Sequence, residues 1–213
     1  WFAELNIEEA STGRLLIKPG TSFTSECKLD GEQLSIPSDF PNAFYCSLDE
    51  QSDGQGTTRT GSVVLPVDTF AEIWEGKLMG QRSFMLGDFT AATIVAHEYG
   101  HHVMYRLAEA YDLSVEDFPG GANNAELLAD CFAGNWAATV AARNDLSLKE
   151  VAQTALLMVQ IADPAADMGH GTVTERVGAM TRGFTGGSFR DRSETGLPGV
   201  CLNKYWPEVL GTE

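Results

Sequence analysis

Apolar residues follow two rhythms along this chain. Up to about residue 67 they come in short runs such as Arg14–Lys18 and Ala43–Leu48, separated by Gly, Ser, Thr, Pro and Asp, which predicts strands between turns. Ser62–Val67 is a further predicted strand, and Pro66 within it predicts a sheet edge, because proline has no N–H to give to a ladder. The polar, glycine-punctuated stretch Asp49–Gly61 reads as a solvent loop. Beyond Val67 the spacing turns helical. Thr69–Glu75 predicts a short helix, and Ile94, Val95, Val103, Met104 and Leu107 predict a long one over Phe89–Ala110 that starts at Gly87 and Asp88. Asn123 or Asn124 offers an N-cap to an alanine-rich helix running to about Arg143. A third helix is expected over Leu148–Ala162, entered through Ser147 and ended by Asp163–Pro164. A shorter fourth is expected over Thr172–Gly183, closed by the glycine-rich GFTGG.

Strands first and helices afterwards predict an α+β fold, a small N-terminal antiparallel sheet packed on a helical body. A chain of 213 residues suits one domain, with a β- and loop-rich part over 1–61, a core over 62–187 and a C-terminal segment over 188–213. With 43% hydrophobic and 21% charged residues the composition is that of a folded protein rather than a disordered one. The formal net charge of -16 repels phosphate backbones and anionic lipid, so neither nucleic acid nor a membrane surface is an expected partner. No stretch approaches the roughly 20 apolar residues needed to cross a bilayer.

Four cysteines without a CxxC pair disfavour a cysteine zinc site and permit two disulfides. Cys27 and Cys46 both lie in the turn-rich N-terminal part and would close a short loop, which leaves Cys131 with Cys201. Disulfides predict an extracellular or cell-envelope protein, and a first residue of Trp1 rather than Met predicts either a processed mature form or a trimmed chain, with any signal or anchor already removed.

The segment His97-Glu98-Tyr99-Gly100-His101 carries the strongest chemical signal. On a helix, residues four apart share a face, so His97 and His101 can aim two imidazole nitrogens at one metal ion, with Glu98 beside the same point. Zinc held by two histidines requires a third protein ligand and an open position for water. Glu126, expected in the first turn of the next long helix, is the best donor. Asp130 follows it at i+4 and can accept the free N–H of a ligand imidazole. Gly100 and Gly134 are expected to let the two ligand-bearing helices approach closely. His102 lies off the metal-facing side and reads as a non-ligand. Tyr99, Tyr105 and Tyr111 read as packing residues.

The blocks AHEYGHHV (Ala96–Val103), ELLADCFAGNWA (Glu126–Ala137), HGTVTERV (His170–Val177) with RGFTGG (Arg182–Gly187), and NAFYCSLD (Asn42–Asp49) resemble those of the bacterial neutral zinc metallopeptidases. The resemblance runs in order from about Cys27 to Gly187. It implies a gluzincin-like site, similar in plan to thermolysin, with one zinc per chain beside an edge strand that aligns substrate. It supports His97, His101 and Glu126 as ligands, Glu98 as general base and Asp130 behind the ligands. Leu128 and Glu175 stand where the family pattern leads one to expect Gln. His170 is open to two readings, as a hydrogen-bond donor to the oxyanion of the reaction or as a capping or core residue. Arg176 is either a helper to it or the partner of a buried carboxylate such as Asp130 or Asp163.

These residues predict a monomeric zinc-dependent endopeptidase in which the metal acidifies a water, Glu98 takes its proton, and a peptide carbonyl is attacked. Ser62–Val67 is the strand expected to bind an extended peptide by strand addition. Two alternatives from other classes remain, a zinc-containing binding or scaffolding protein that cleaves nothing, and a zinc amidohydrolase acting on cell-wall peptide.

Overall fold

The computed structural model describes residues 1–7, 12–29, 31–52, 58–59, 61–78, 80–83, 86–115, 117–143, 147, 149–150, 153, 170–188 and 198–211. In chain order its main elements are α1 (Phe2–Leu5), β1 (Gly13–Ile17), β2 (Ser22–Leu29), β3 (Glu32–Pro37), β4 (Phe44–Cys46), β5 (Gln51–Ser52), β6 (Thr58–Arg59) and β7 (Ser62–Pro66). Then follow α2 (Val67–Trp74), β8 (Lys77–Leu78), β9 (Gln81–Arg82), α3 (Asp88–Ala110), α4 (Gly121–Ala142), α5 (Val173–Ser188), α6 (Gly199–Tyr205) and a 3-10 turn at Pro207–Leu210. The fold is α+β, as the two rhythms predict. The described chain divides into two compact units, Ala10–His102 and Trp1–Glu9 with Val103–Glu213, and the boundary falls within α3.

In the unit Ala10–His102 the largest sheet has the order β1-β7-β4. β4 pairs antiparallel with β7, whereas β1 pairs with it in parallel, from Gly13 opposite Ser62 to Ile17 opposite Pro66. β7 is therefore the middle strand, and the expectation of an edge strand there is wrong. Pro66 is tolerated because it is the last paired residue and the N-cap of α2, so its missing N–H interrupts no ladder interior. β7 also reads Ser-Val-Val-Leu-Pro with burial at nearly every position, the pattern of a central strand. Ile17, Ile36 and Val64 form the core under this sheet, with Leu15, Phe23, Leu34, Phe40 and Phe44 around them.

β2 and β3 form a separate antiparallel ribbon, which Cys27–Cys46 ties to β4. The buried Asp49 carboxylate reinforces that tie by accepting from Ser25 Oγ (2.7 Å) and the Glu26 amide (2.7 Å). The expected solvent loop Asp49–Gly61 contains a small antiparallel pair, β5 with β6. Among the described residues no helix is long and apolar enough to cross a membrane.

The other unit is built around α4. Leu127–Asn135 are buried without interruption, so this helix is surrounded on all sides rather than amphipathic. It begins at Gly121, behind a left-handed Gly120, so Asn123 and Asn124 lie inside the helix and neither is its N-cap. Asn124 instead donates to the carbonyls of Pro119 (2.6 Å) and Tyr205 (2.7 Å). Glu126 consequently sits in the second turn. Cys131–Cys201 joins α4 to α6. At the N-terminus, Trp1 Nε1 donates to Asn135 Oδ1 (2.7 Å) and the indole packs on Phe132, an association with α4 that no local pattern announces.

α5 runs to Ser188, through the GFTGG expected to end it. The reason is close packing. A Cβ at Gly183 would overlap the Cys131 carbonyl oxygen, and one at Gly134 the Met180 carbonyl oxygen, so the two glycines let α4 and α5 touch backbone to backbone. Gly134 thus serves α5 rather than the neighbouring ligand-bearing helix, which corrects that expectation. Among residues of the expected helix Leu148–Ala162, Lys149, Glu150 and Gln153 are helical and all the rest lie outside the described residues.

Thr172 and Glu175 form a reciprocal capping box at the start of α5: the Thr172 amide and hydroxyl donate to Glu175 Oε2 (2.9 and 2.7 Å), and the Glu175 amide donates to Thr172 Oγ1 (3.4 Å). A glutamine at 175 would preserve this box, so the departure from the family pattern there is mild. The Thr172 backbone and hydroxyl donors hold the Glu175 carboxyl below its ordinary range. A carboxyl lowered by folding stabilises the fold above its unfolded pKa and loses that contribution as pH falls through the folded value. Thr172→Ala is expected to cost about 1 kcal/mol, and thermal melts at neutral pH against strongly acidic pH should show its penalty shrinking in acid.

Candidate metal centre

α3 carries His97 and His101 one turn apart, and the geometry follows the helical spacing. His101 Nε2 and His97 Nε2 stand 3.3 Å apart, with the two rings edge to face. Two unprotonated nitrogens at that distance repel, so a proton or a cation belongs between them. Nitrogens bound to one zinc at about 2.0–2.1 Å in tetrahedral geometry lie about 3.3–3.4 Å apart. The observed 3.3 Å is compatible with that separation.

Glu126 joins them: one ligand atom from each of His97, His101 and Glu126 lies within 4.8 Å of the others, and among the described residues this is the one such group of histidine, cysteine and carboxylate side chains. His97 is buried, while His101 and Glu126 keep partial exposure. Two imidazoles and one carboxylate are the donor set of a catalytic zinc site with a fourth position left open, so the residues fit that metal. Glu98, next to His97 on α3, is buried to 7% exposure.

The other predicted residues are placed as follows. Asp130, fully buried on α4, accepts from Arg176 Nε at 2.7 Å through Oδ2 and from Nη2 at 2.8 Å through Oδ1. Of the two partners expected for Arg176, Asp130 is observed, and Asp163 lies outside the described residues. His170 is exposed and directly precedes Gly171, whose φ is +89°. A side chain at Gly171 would crowd Asn123 Oδ1 and Leu127 on α4. The His-Gly-Thr block thus passes tightly against the turns that flank Glu126, and glycine is required there both for backbone conformation and for space.

Tyr45 was not foreseen as a neighbour of this region. Its hydroxyl lies 3.2 Å from Nδ1 of His102, which is 1% exposed, and Tyr99 packs on the same imidazole. His102 is therefore held by the sheet and is no part of the ligand group, in line with its reading from spacing. Gly61 makes room for Tyr45, since a Cβ there would overlap the phenol oxygen. Nothing in local spacing links residue 45 to 102. The only signal is that both fall in blocks shared with the resembled family.

A helix-borne His-His pair with a glutamate from a second helix defines the class, a protein with a three-residue group that could hold a metal ion. The family model described as "Putative neutral zinc metallopeptidase" matches residues 43–194 of the 213, and the chain belongs to that family. No curated protein and no solved structure matches the chain.

Proposed function

We propose that this protein is a zinc-dependent endopeptidase with a gluzincin-like site, exported to a compartment where its two disulfides persist. The observation that carries this reading is the pair of Nε2 atoms 3.3 Å apart with the Glu126 carboxylate beside them. Zinc bound by His97, His101 and Glu126 would acidify a water and polarise a peptide carbonyl.

The chain's own residues supply the rest. The Glu98 carboxylate accepts a proton from the attacking water, whose oxygen forms the new bond to the carbonyl carbon. The same carboxyl then delivers that proton to the nitrogen as the C–N bond breaks, leaving a carboxylate and an amine. His170 donates a hydrogen bond to the carbonyl oxygen as it gains negative charge. Asp130 accepts from a ligand imidazole and holds its orientation. Because β7 has a neighbour on each side, it has no free edge, and strand addition by substrate falls to an outer strand of the same sheet. β4 is the candidate, since its Tyr45 touches His102 beside the ligand His101.

The test is elemental analysis of the purified protein with cleavage of a denatured protein substrate, before and after chelation and zinc return. One zinc per chain, with cleavage lost on chelation and restored by zinc, is the expected result. Absence of zinc would sink the metal site. Stoichiometric zinc without cleavage of unfolded protein, folded protein or peptidoglycan fragments would favour a non-catalytic role, and cleavage of the last alone an amidohydrolase.

A further inference from the structure

Arg176 and Asp130 form a forked ion pair at 3% and 0% side-chain exposure. Burying such a pair removes two charges from water, and well-packed apolar residues of similar volume commonly serve stability as well or better. Stability is thus a weak reason for its presence, and its position suggests another. Asp130 lies one turn beyond Glu126 on the same face of α4. Arg176 lies one turn into α5, four residues beyond the capping Thr172 and six beyond His170, and its Cγ is among the atoms nearest the position a Gly171 side chain would occupy. The fork therefore braces the turn that follows the glutamate ligand against the turn that follows His170.

A fork adds something a point charge does not. Two parallel N–H···O bonds fix the carboxylate plane as well as its distance, whereas a lysine ammonium would fix neither. Both Asp130 oxygens accept from the guanidinium. We infer that Arg176 is a positioning residue of the metal centre, acting through Asp130 to fix the Glu126 turn, so that the guanidinium fork sets how tightly zinc is held. This rests on the reading of His97, His101 and Glu126 as zinc ligands. The fork already engages Nε and Nη2 on Asp130, so Arg176 works behind the ligands rather than on the substrate carbonyl.

The experiment measures zinc affinity by competition with a chromophoric chelator, together with melting of the metal-free proteins, for wild type, Arg176→Lys, Met180→Ala and Glu126→Ala. Arg176→Lys keeps the charge and loses the fork. It is expected to weaken zinc binding by about 10- to 100-fold and to lower kcat more than it raises KM. Met180→Ala, which empties a buried position one turn beyond Arg176 on α5 and leaves the ion pair itself intact, should lower the melting temperature with zinc affinity near wild type.

Wild-type affinity in Arg176→Lys would overturn the inference whatever its melting temperature. An equal loss of affinity in Met180→Ala would overturn it too, as mere loosening. Should Arg176→Lys fail to fold, Arg176→Gln, which keeps Asp130 and one hydrogen-bond donor to it, answers the same question: retained wild-type affinity overturns the inference and a loss of the stated size supports it. Failure of the underlying reading shows separately, as a wild type without stoichiometric zinc or a Glu126→Ala variant with undiminished affinity.

Discussion

Glu98→Gln is expected to lower kcat by about 10²- to 10⁴-fold while the protein keeps its zinc and its fold. The amide matches the carboxylate in shape, so the 7% exposed site on α3 is not left with a cavity. It cannot accept a proton from water or return one to the leaving nitrogen. His97, His101 and Glu126 are untouched, so metal content should match wild type. The measurement is turnover of a denatured protein by wild type and variant at equal zinc loading. A variant with more than a tenth of wild-type kcat would remove Glu98 from the proton-transfer role, and a variant that lost zinc would show the residue to be part of the metal cage.

The second large effect lies in the packing of α4 on α5. Gly183→Ala sets a methyl group against the Cys131 carbonyl and the Asn135 amide, both backbone atoms that have no rotamer to yield. The helices must separate, at a cost of about 3 kcal/mol or more, which for a chain of this size lowers Tm by roughly 6–12 °C. Gly178 supplies the control on the same helix. It is exposed, no atom lies within 4 Å of its would-be Cβ, and replacing a helical glycine there should add about 0.5–1 kcal/mol. Melting curves of the two single variants decide the matter, since equal effects would mean that the backbone contact is not what holds these helices together.

The meeting of His97 and His101 was legible because its geometry is local: a spacing of four on a helix brings two side chains to one face. Glu126 was legible only as the carboxylate of the next long helix, and Asp130, one turn further on the same face, by the same i+4 rule. What failed was long-range. Pro66 carries the same signal whether a strand is at an edge or has simply reached its last pair, and only the pairing with β1 and β4 separates the two. Gly183 and Gly187 read as a helix stop, yet α5 runs through them, because a glycine that makes room for a neighbouring backbone is indistinguishable in sequence from one that ends a helix. Tyr45 against His102, and Trp1 against Asn135, depend on contacts across 57 and 134 residues, which no periodicity encodes.

The two disulfides join the first cysteine to the second and the third to the fourth, each within a single unit of the chain. Of the three pairings open to four cysteines, this is the one reached by linking thiols in their order of synthesis. An oxidase that meets the polypeptide as it is threaded through a membrane would close Cys27–Cys46 before Cys131 has emerged, and no wrongly joined intermediate needs to be undone. Oxidation in that order would call for an oxidant but no shuffling enzyme, so the two bonds are expected to form in the presence of an oxidant alone.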